Sequence, residues 1–170
     1  MNLGNRRVKN EELRVVFQAL NLADVGTFRA SGNVAFTAAA EPPDRLGARI
    51  EAGLRAALGY EVPTFLREAR ELRAIAAHEP FDPALTASFG GKLQVGLLQA
   101  PPAKRAREAV LALAGERDRL AFGERELYWL PSGGLLDSQL DLRTIDELLG
   151  PSTRRTKGTI EQMAAKHFPA

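Results

Sequence analysis

The chain has no cysteine, two histidines, one tryptophan and few aromatic residues of any kind, 6% of its 170 positions. The missing cysteines exclude a disulfide framework, a thiol nucleophile and a Cys-ligated zinc site. The two histidines, His78 and His167, are far apart and have no companions at metal-ligand spacing, so no metal site is expected. No apolar run approaches the roughly 18 residues that a membrane span needs. The opening residues, with Arg6, Arg7, Lys9, Glu11 and Glu12, carry no apolar signal core. These features fit a cytoplasmic protein with no membrane partner. Signatures of metalloprotease, nucleophile-elbow or phosphate-loop chemistry are absent, and no cofactor is implied. Net charge is small, +2 from 23 basic and 21 acidic residues, so charge alone argues only weakly for a nucleic-acid partner.

What is present is enough apolar material for a core, 45% of residues, and a basic complement made mostly of arginine, which suits phosphate and carboxylate recognition. Asn10 can cap a first helix reaching Leu20, with Leu13, Val16, Phe17 and Leu20 on one face. Val25–Ala30 and Asn33–Thr37 read as a hairpin turning at Ser31 and Gly32. Leu46, Ile50, Leu54 and Leu58 predict a helix from Asp44 that Gly59 ends. Glu61–Leu66 reads as a strand, placed at a sheet edge by Pro63, and a helix follows over Arg67–Ala77. His78 to Pro83 forms a stiff break, and the domain boundary is expected in 78–91.

Beyond that break, Lys92–Gln99 reads as a strand. A helix from Pro101 and Pro102 to Ala114 follows, then a hairpin of Leu120–Phe122 with Glu126–Leu130, in which Tyr128 and Trp129 point to opposite sides. A helix over Leu140–Leu149 closes at Gly150. Residues 153–157 are a short polar segment, and Thr159–Phe168 is a last helix. Both halves are fragments of a β-α-β-β-α-β unit. The fold class is α+β: two ferredoxin-like halves, 1–78 and 91–170, each an antiparallel sheet with helices on one face. The first half lacks its opening strand. The second lacks a closing one unless residues 153–156 supply it.

Certain residues carry a family likeness: Asn2 to Lys9, then Leu13 and Arg14, then the run Ala30, Ser31, Gly32, Asn33, Val34, Ala35 and Phe36. Glu126, Leu127 and Tyr128 ahead of Pro131, Ser132 and Gly133 continue it, as do Thr153, Arg155, Thr159 and Ile160. Together they resemble the bacterial domain of unknown function 1697 family. Its members open with an apolar strand and a turn like R-G-I-N-V-G-G, and carry S-G-N-V-x-F in the first hairpin. The resemblance covers nearly the whole chain and implies two ferredoxin-like halves; it implies no reaction. Thr156 and Lys157 stand where the family pattern has Asn and Trp, which puts any ligand contact by those two in doubt. The family's opening strand would precede Gly4. Its place is expected to be filled from an upstream start, by another chain, or by rearrangement within the half.

Candidate ligand-binding residues form three groups. Gly4, Asn5, Arg6 and Arg7 lead into the first helix, where backbone amides and guanidinium groups can hold a phosphate or carboxylate. Ser31, Gly32 and Asn33 can add hydrogen bonds to the same ligand, or be an ordinary turn. Arg154 and Arg155, with Lys157, form a second basic cluster before the last helix. The leading functional reading is a non-enzymatic binding protein for an anionic ligand, a nucleotide or nucleic acid. An enzyme acting on a phosphorylated or carboxylated metabolite, and a protein-interaction or self-association module, are the alternatives.

Overall fold

The computed structural model describes residues 2–3, 6–29, 32–135 and 138–169, with backbone alone for 2–3 and 6–7. The chain divides into two compact units at Leu66/Arg67. The first contains β1 (Asn2–Leu3), β2 (Arg6–Arg7), α1 (Asn10–Ala19), β3 (Ala23–Phe28), β4 (Asn33–Thr37) and α2 (Pro43–Leu58). The second contains α3 (Ala69–Ala77), α4 (Pro83–Phe89), β5 (Gln94–Leu98), α5 (Lys104–Leu111), β6 (Asp118–Phe122), β7 (Glu126–Pro131), α6 (Leu142–Leu149), β8 (Ser152–Thr156) and α7 (Lys157–His167). The class is α+β, and all strand pairs are antiparallel. No helix among the described residues is long and apolar enough to cross a membrane.

In the first unit, Lys9 rather than Asn10 precedes the first turn of α1, and its amide donates to the Glu12 carboxylate at 2.7 Å. Glu11 and Glu12 sit at the positive end of the helix, where acidic groups are favoured. Leu13 and Phe17, one turn apart, are buried with Val8, Leu22, Ile50, Leu54 and Val62. Phe36 of β4 meets Phe17 edge-on, ring centres 5.3 Å apart. α2 opens on Pro43 and ends at Gly59, whose φ of 78° is the left-handed backbone glycine accepts without strain. The expected strand over 61–66 is not a strand. It is a segment without regular structure whose Val62 is buried, and whose Thr64 amide and hydroxyl donate to the Glu51 carboxylate at 2.7 and 3.2 Å. Among the described residues, β3 and β4 pair only with each other.

The second unit contains a complete four-stranded sheet of order β6-β7-β5-β8, the ferredoxin-like arrangement. The polar segment at 153–156 does supply the closing strand: β8 pairs with β5, from Gln94 opposite Thr156 to Leu98 opposite Ser152. Register assigns the faces. Gly96, Leu127, Trp129, Leu120 and Phe122 share one, and Val95, Leu97, Tyr128, Leu130 and Ala121 share the other. The first face packs against Val110 of α5 and Ile145 of α6. Helices were expected on one face only, but on the second face His78 stacks on Tyr128 at 5.0 Å and the Arg119 guanidinium lies 4.9 Å over Phe89 of α4. Tyr128 and Trp129 are therefore both buried, and neither offers an exposed ring to stack a base.

Two expectations about the middle of the chain need correction. The division falls before α3, not in 78–91, because α3 packs along α7 and so belongs with the second unit. The region 78–91 also contains a helix, directly after the stiff break. Asp82 caps α4 by accepting from the Ala84 amide at 2.8 Å, Pro83 occupies its first turn, and Gly90 ends it at φ 69°.

Candidate functional site

The most deeply buried charges lie in the second unit. The Arg67 side chain, 4% exposed, donates through Nε to Glu126 Oε1 at 2.9 Å and through a terminal nitrogen to the carbonyls of Leu98 and Arg125 at 3.0 and 2.9 Å. Glu126 also accepts from the Arg125 amide at 3.1 Å, and Arg125 in turn donates to Glu71 at 2.5 Å. Burial pushes the Arg67 pKa down, while the adjacent Glu126 opposes that shift. Burial acts to raise the Glu71 carboxyl, but the Glu68 amide and the Arg125 guanidinium outweigh it and hold it below its usual value. Burial, with Glu126 nearby, raises the Tyr128 phenol to about 12. These groups satisfy one another. Their arrangement is a structural clamp across α3, β5 and β7 rather than a set of groups aimed at a substrate.

A second buried carboxylate, Asp118, accepts from Trp129 Nε1 at 2.6 Å and from Ser138 Oγ at 2.8 Å, and Ser138 Oγ accepts from the Leu140 amide. Asp141 caps α6 through Thr144; Asp137 lies outside the described residues. Among the described residues no group of three or more His, Asp or Glu side chains could hold a metal ion.

The cluster expected around 154–157 is dispersed by the strand it forms. Successive residues of a strand face opposite ways. Arg154 lies on the face of α6 and pairs with Asp146 at 2.6 Å. Arg155 lies on the other face and donates to Thr153 Oγ1 at 2.8 Å and to the Arg154 carbonyl at 2.7 Å, and burial lowers its pKa. The Lys157 side chain is 8% exposed and pairs with Glu79 at 2.6 Å and Glu161 at 3.3 Å. Thr156 caps α7 by accepting from the Thr159 amide at 3.2 Å. Arg154 and Arg155 therefore do not share one anion site.

The first unit brings its candidates closer together. Gly4, Asn5 and Ser31 lie outside the described residues. Arg6 and Arg7 form β2, with Arg7 opposite Asn2 and Arg6 opposite Leu3. Three residues on, Asn10 Nδ2 donates to the Arg29 carbonyl at 3.0 Å, which ties the start of α1 to the end of β3. Arg29 has a left-handed φ of 55°, and its guanidinium lies 5.5 Å from the Phe28 ring centre. Gly32 turns the chain at φ 74°, and Asn33 Nδ2 donates to the Phe28 carbonyl at 3.5 Å. The start of α1 and the end of β3 thus meet at one end of the hairpin. In the sequence, Arg29 alternates with Val25 and Thr27 along one strand face, where it could support a binding sheet. A long basic side chain at positive φ just before Ala30, Ser31 and Gly32 is set by the turn, and has no signature in residue spacing.

A unit with a four-stranded ferredoxin-like sheet and a helix-hairpin-helix unit define an α+β protein with no recognisable catalytic constellation among the described residues. The chain belongs to the family described as Protein of unknown function (DUF1697), whose model matches residues 1–128. A solved structure, of a conserved bacterial protein from Streptococcus pneumoniae, is similar with a TM-score of 0.71 and 19% identity, over 98% of this chain and 94% of that one. At that identity the likeness speaks to fold alone. No curated protein matches.

Proposed function

We propose that the chain is a non-enzymatic bacterial cytoplasmic protein that binds an anionic ligand, a nucleotide or nucleic acid, where the start of α1 meets the β3–β4 turn. The observation that carries the reading is the Asn10–Arg29 bond. It gathers Arg29 and the turn at Gly32 and Asn33 beside the segment containing Arg6, Arg7 and Lys9. A guanidinium group and turn amides in one locality suit phosphate oxygens. The competing cluster in the second unit is engaged internally: Arg154 by Asp146 and Lys157 by Glu79 and Glu161.

The test is a titration with labelled single-stranded nucleic acid and with nucleotides at two ionic strengths. Binding is expected to weaken as salt rises, because neutralised phosphates release counterions. The double substitution Arg6→Ala with Arg7→Ala is expected to weaken it further. Absence of binding to either ligand, or binding indifferent to salt and to the substitutions, removes the proposal.

A further inference from the structure

We propose that the second unit binds a single phosphate group where the first turn of α5 lies beside the β6–β7 turn. The two elements converge at one end of the sheet. The Leu98 amide donates to the Arg125 carbonyl at 2.9 Å, and Arg125 donates to the Gln99 carbonyl at 3.2 Å. These bonds tie the β6–β7 turn to the segment that leads through Pro101 and Pro102 into α5. Arg107 of α5 bridges the two. One terminal nitrogen of its guanidinium donates to the Gly123 carbonyl, and the group lies 5.0 Å over the Phe122 ring. Its Nε is buried and has no acceptor. Arg67, Arg125 and Arg154 each hold a carboxylate, whereas no carboxylate among the described residues pairs with Arg107. A desolvated guanidinium with an unused buried donor is costly, and a bound anion would balance its charge.

The start of α5 points the same way independently. Ala103, at its cap position, has no side chain that can accept, and the first turn contains no acid. It contains Lys104 and Arg105, cations at the positive end of the helix dipole. The nearby acids leave them largely uncompensated. Glu108 pairs with Lys104 only at 3.8 Å with both side chains exposed, and Glu124 in the turn is exposed. The amides of Lys104, Arg105 and Ala106 have no acceptor within the helix. Side chains on a helix lean toward its N-terminus, which brings the Arg107 guanidinium back toward these amides. The amides and the remaining Arg107 terminal nitrogen outnumber the two oxygens of a carboxylate. Phosphate, with more oxygens and more charge, matches them. The site shares no residue with the one proposed in the first unit.

The experiment titrates the full, isotopically labelled chain with inorganic phosphate, and separately with acetate, following the amide resonances and the Arg107 Nε–H by NMR. Phosphate at about 10 mM, well above the Kd of a millimolar site, is expected to shift the amides of 104–107 and the Arg107 Nε–H. Acetate at the same concentration is expected to leave them in place. Arg107→Gln is expected to weaken phosphate binding by about tenfold or more, the scale of a lost charge-assisted bond. Ala103→Asp gives the same amides a carboxylate of the chain's own. It is expected to raise the melting temperature and to weaken phosphate binding by a similar factor, so one variant tests the site without risk to folding. Four results overturn the proposal. One is no shift at these groups, and another is shifts confined to the first unit. The third is an equal response to acetate. The fourth is unchanged phosphate affinity in either folded variant.

Discussion

The two units use the same succession of helix, hairpin and helix and differ in the sheet each contains. In the second, the sheet is complete, both faces are covered, and Arg67, Arg125, Arg154 and Lys157 are committed to carboxylates of the same unit. In the first, a two-stranded hairpin rests on two helices, and Asn10 of α1 donates to the Arg29 carbonyl at the end of β3. One arrangement ties these cations to its own carboxylates and is suited to a scaffold. The other places Arg29 and Asn33 at a turn, where ligand recognition is commonly placed.

The largest effect that would sharpen this contrast belongs to Glu126. Glu126→Ala strands the buried Arg67 guanidinium, and denaturant unfolding is expected to show a loss of about 3–5 kcal/mol. Replacing both partners with apolar residues, Arg67→Met with Glu126→Leu, is expected to recover most of it. A single variant losing less than about 1 kcal/mol, the range of an exposed pair, would break the picture of a committed charge network.

Glycine substitutions give a smaller effect of opposite character in the two units. A Cβ at Gly91 would lie 2.8 Å from the Gly133 carbonyl oxygen and 2.8 Å from the Pro131 carbonyl carbon, both backbone atoms that cannot swing aside. Gly91→Ala is expected to cost about 1–3 kcal/mol in thermal or chemical unfolding. At Gly53, inside α2, the nearest atom is Leu20 Cδ1 at 2.9 Å, a side-chain end that can turn. There the crowding is offset by the gain of about 1 kcal/mol in helix propensity, and Gly53→Ala is expected to be near neutral. Equal costs at both sites would show that the units are equally rigid.

The smallest effect is a pH dependence. Glu71 has a folded pKa below its ordinary 4.5. The folded state therefore binds the proton less readily than the unfolded chain. Its contribution is present above the ordinary value and is lost as pH falls from there through the depressed one. Glu71→Gln is expected to flatten that acid limb of a stability-versus-pH curve and leave its neutral part nearly parallel to the parent. An unchanged acid limb would detach Glu71 from the clamp.

The α+β class, most helices and both hairpins were legible because apolar residues recur at helical or alternating spacing, as at Leu13 and Phe17 or Val95 and Leu97. β8 hid its form because Ser152, Thr153, Arg154, Arg155 and Thr156 offer no apolar alternation; pairing with β5 makes it a strand. Residues 61–66 show the converse. Their composition suits a strand, but a strand needs a neighbour, and β4 is not paired with them. α4 was obscured by Pro80, Pro83 and Gly90, which read as a break although Asp82-Pro83 and Gly90 are also start and stop signals. Near the candidate site, the contact between Asn10 and Arg29 was not legible, since residues nineteen apart in sequence come together only by folding.

The division of labour between the units is tested most directly by measuring polyanion affinity and melting temperature on the same variants. Arg6→Ala with Arg7→Ala is expected to weaken binding of a labelled oligonucleotide and leave the melting temperature nearly unchanged. Arg154→Ala, which removes the partner of Asp146, is expected to leave affinity unchanged and lower the melting temperature slightly, consistent with about 0–1 kcal/mol for a partly exposed pair. The reverse outcome, with affinity lost through Arg154 and retained without Arg6 and Arg7, would contradict the account and move the binding surface to the second unit.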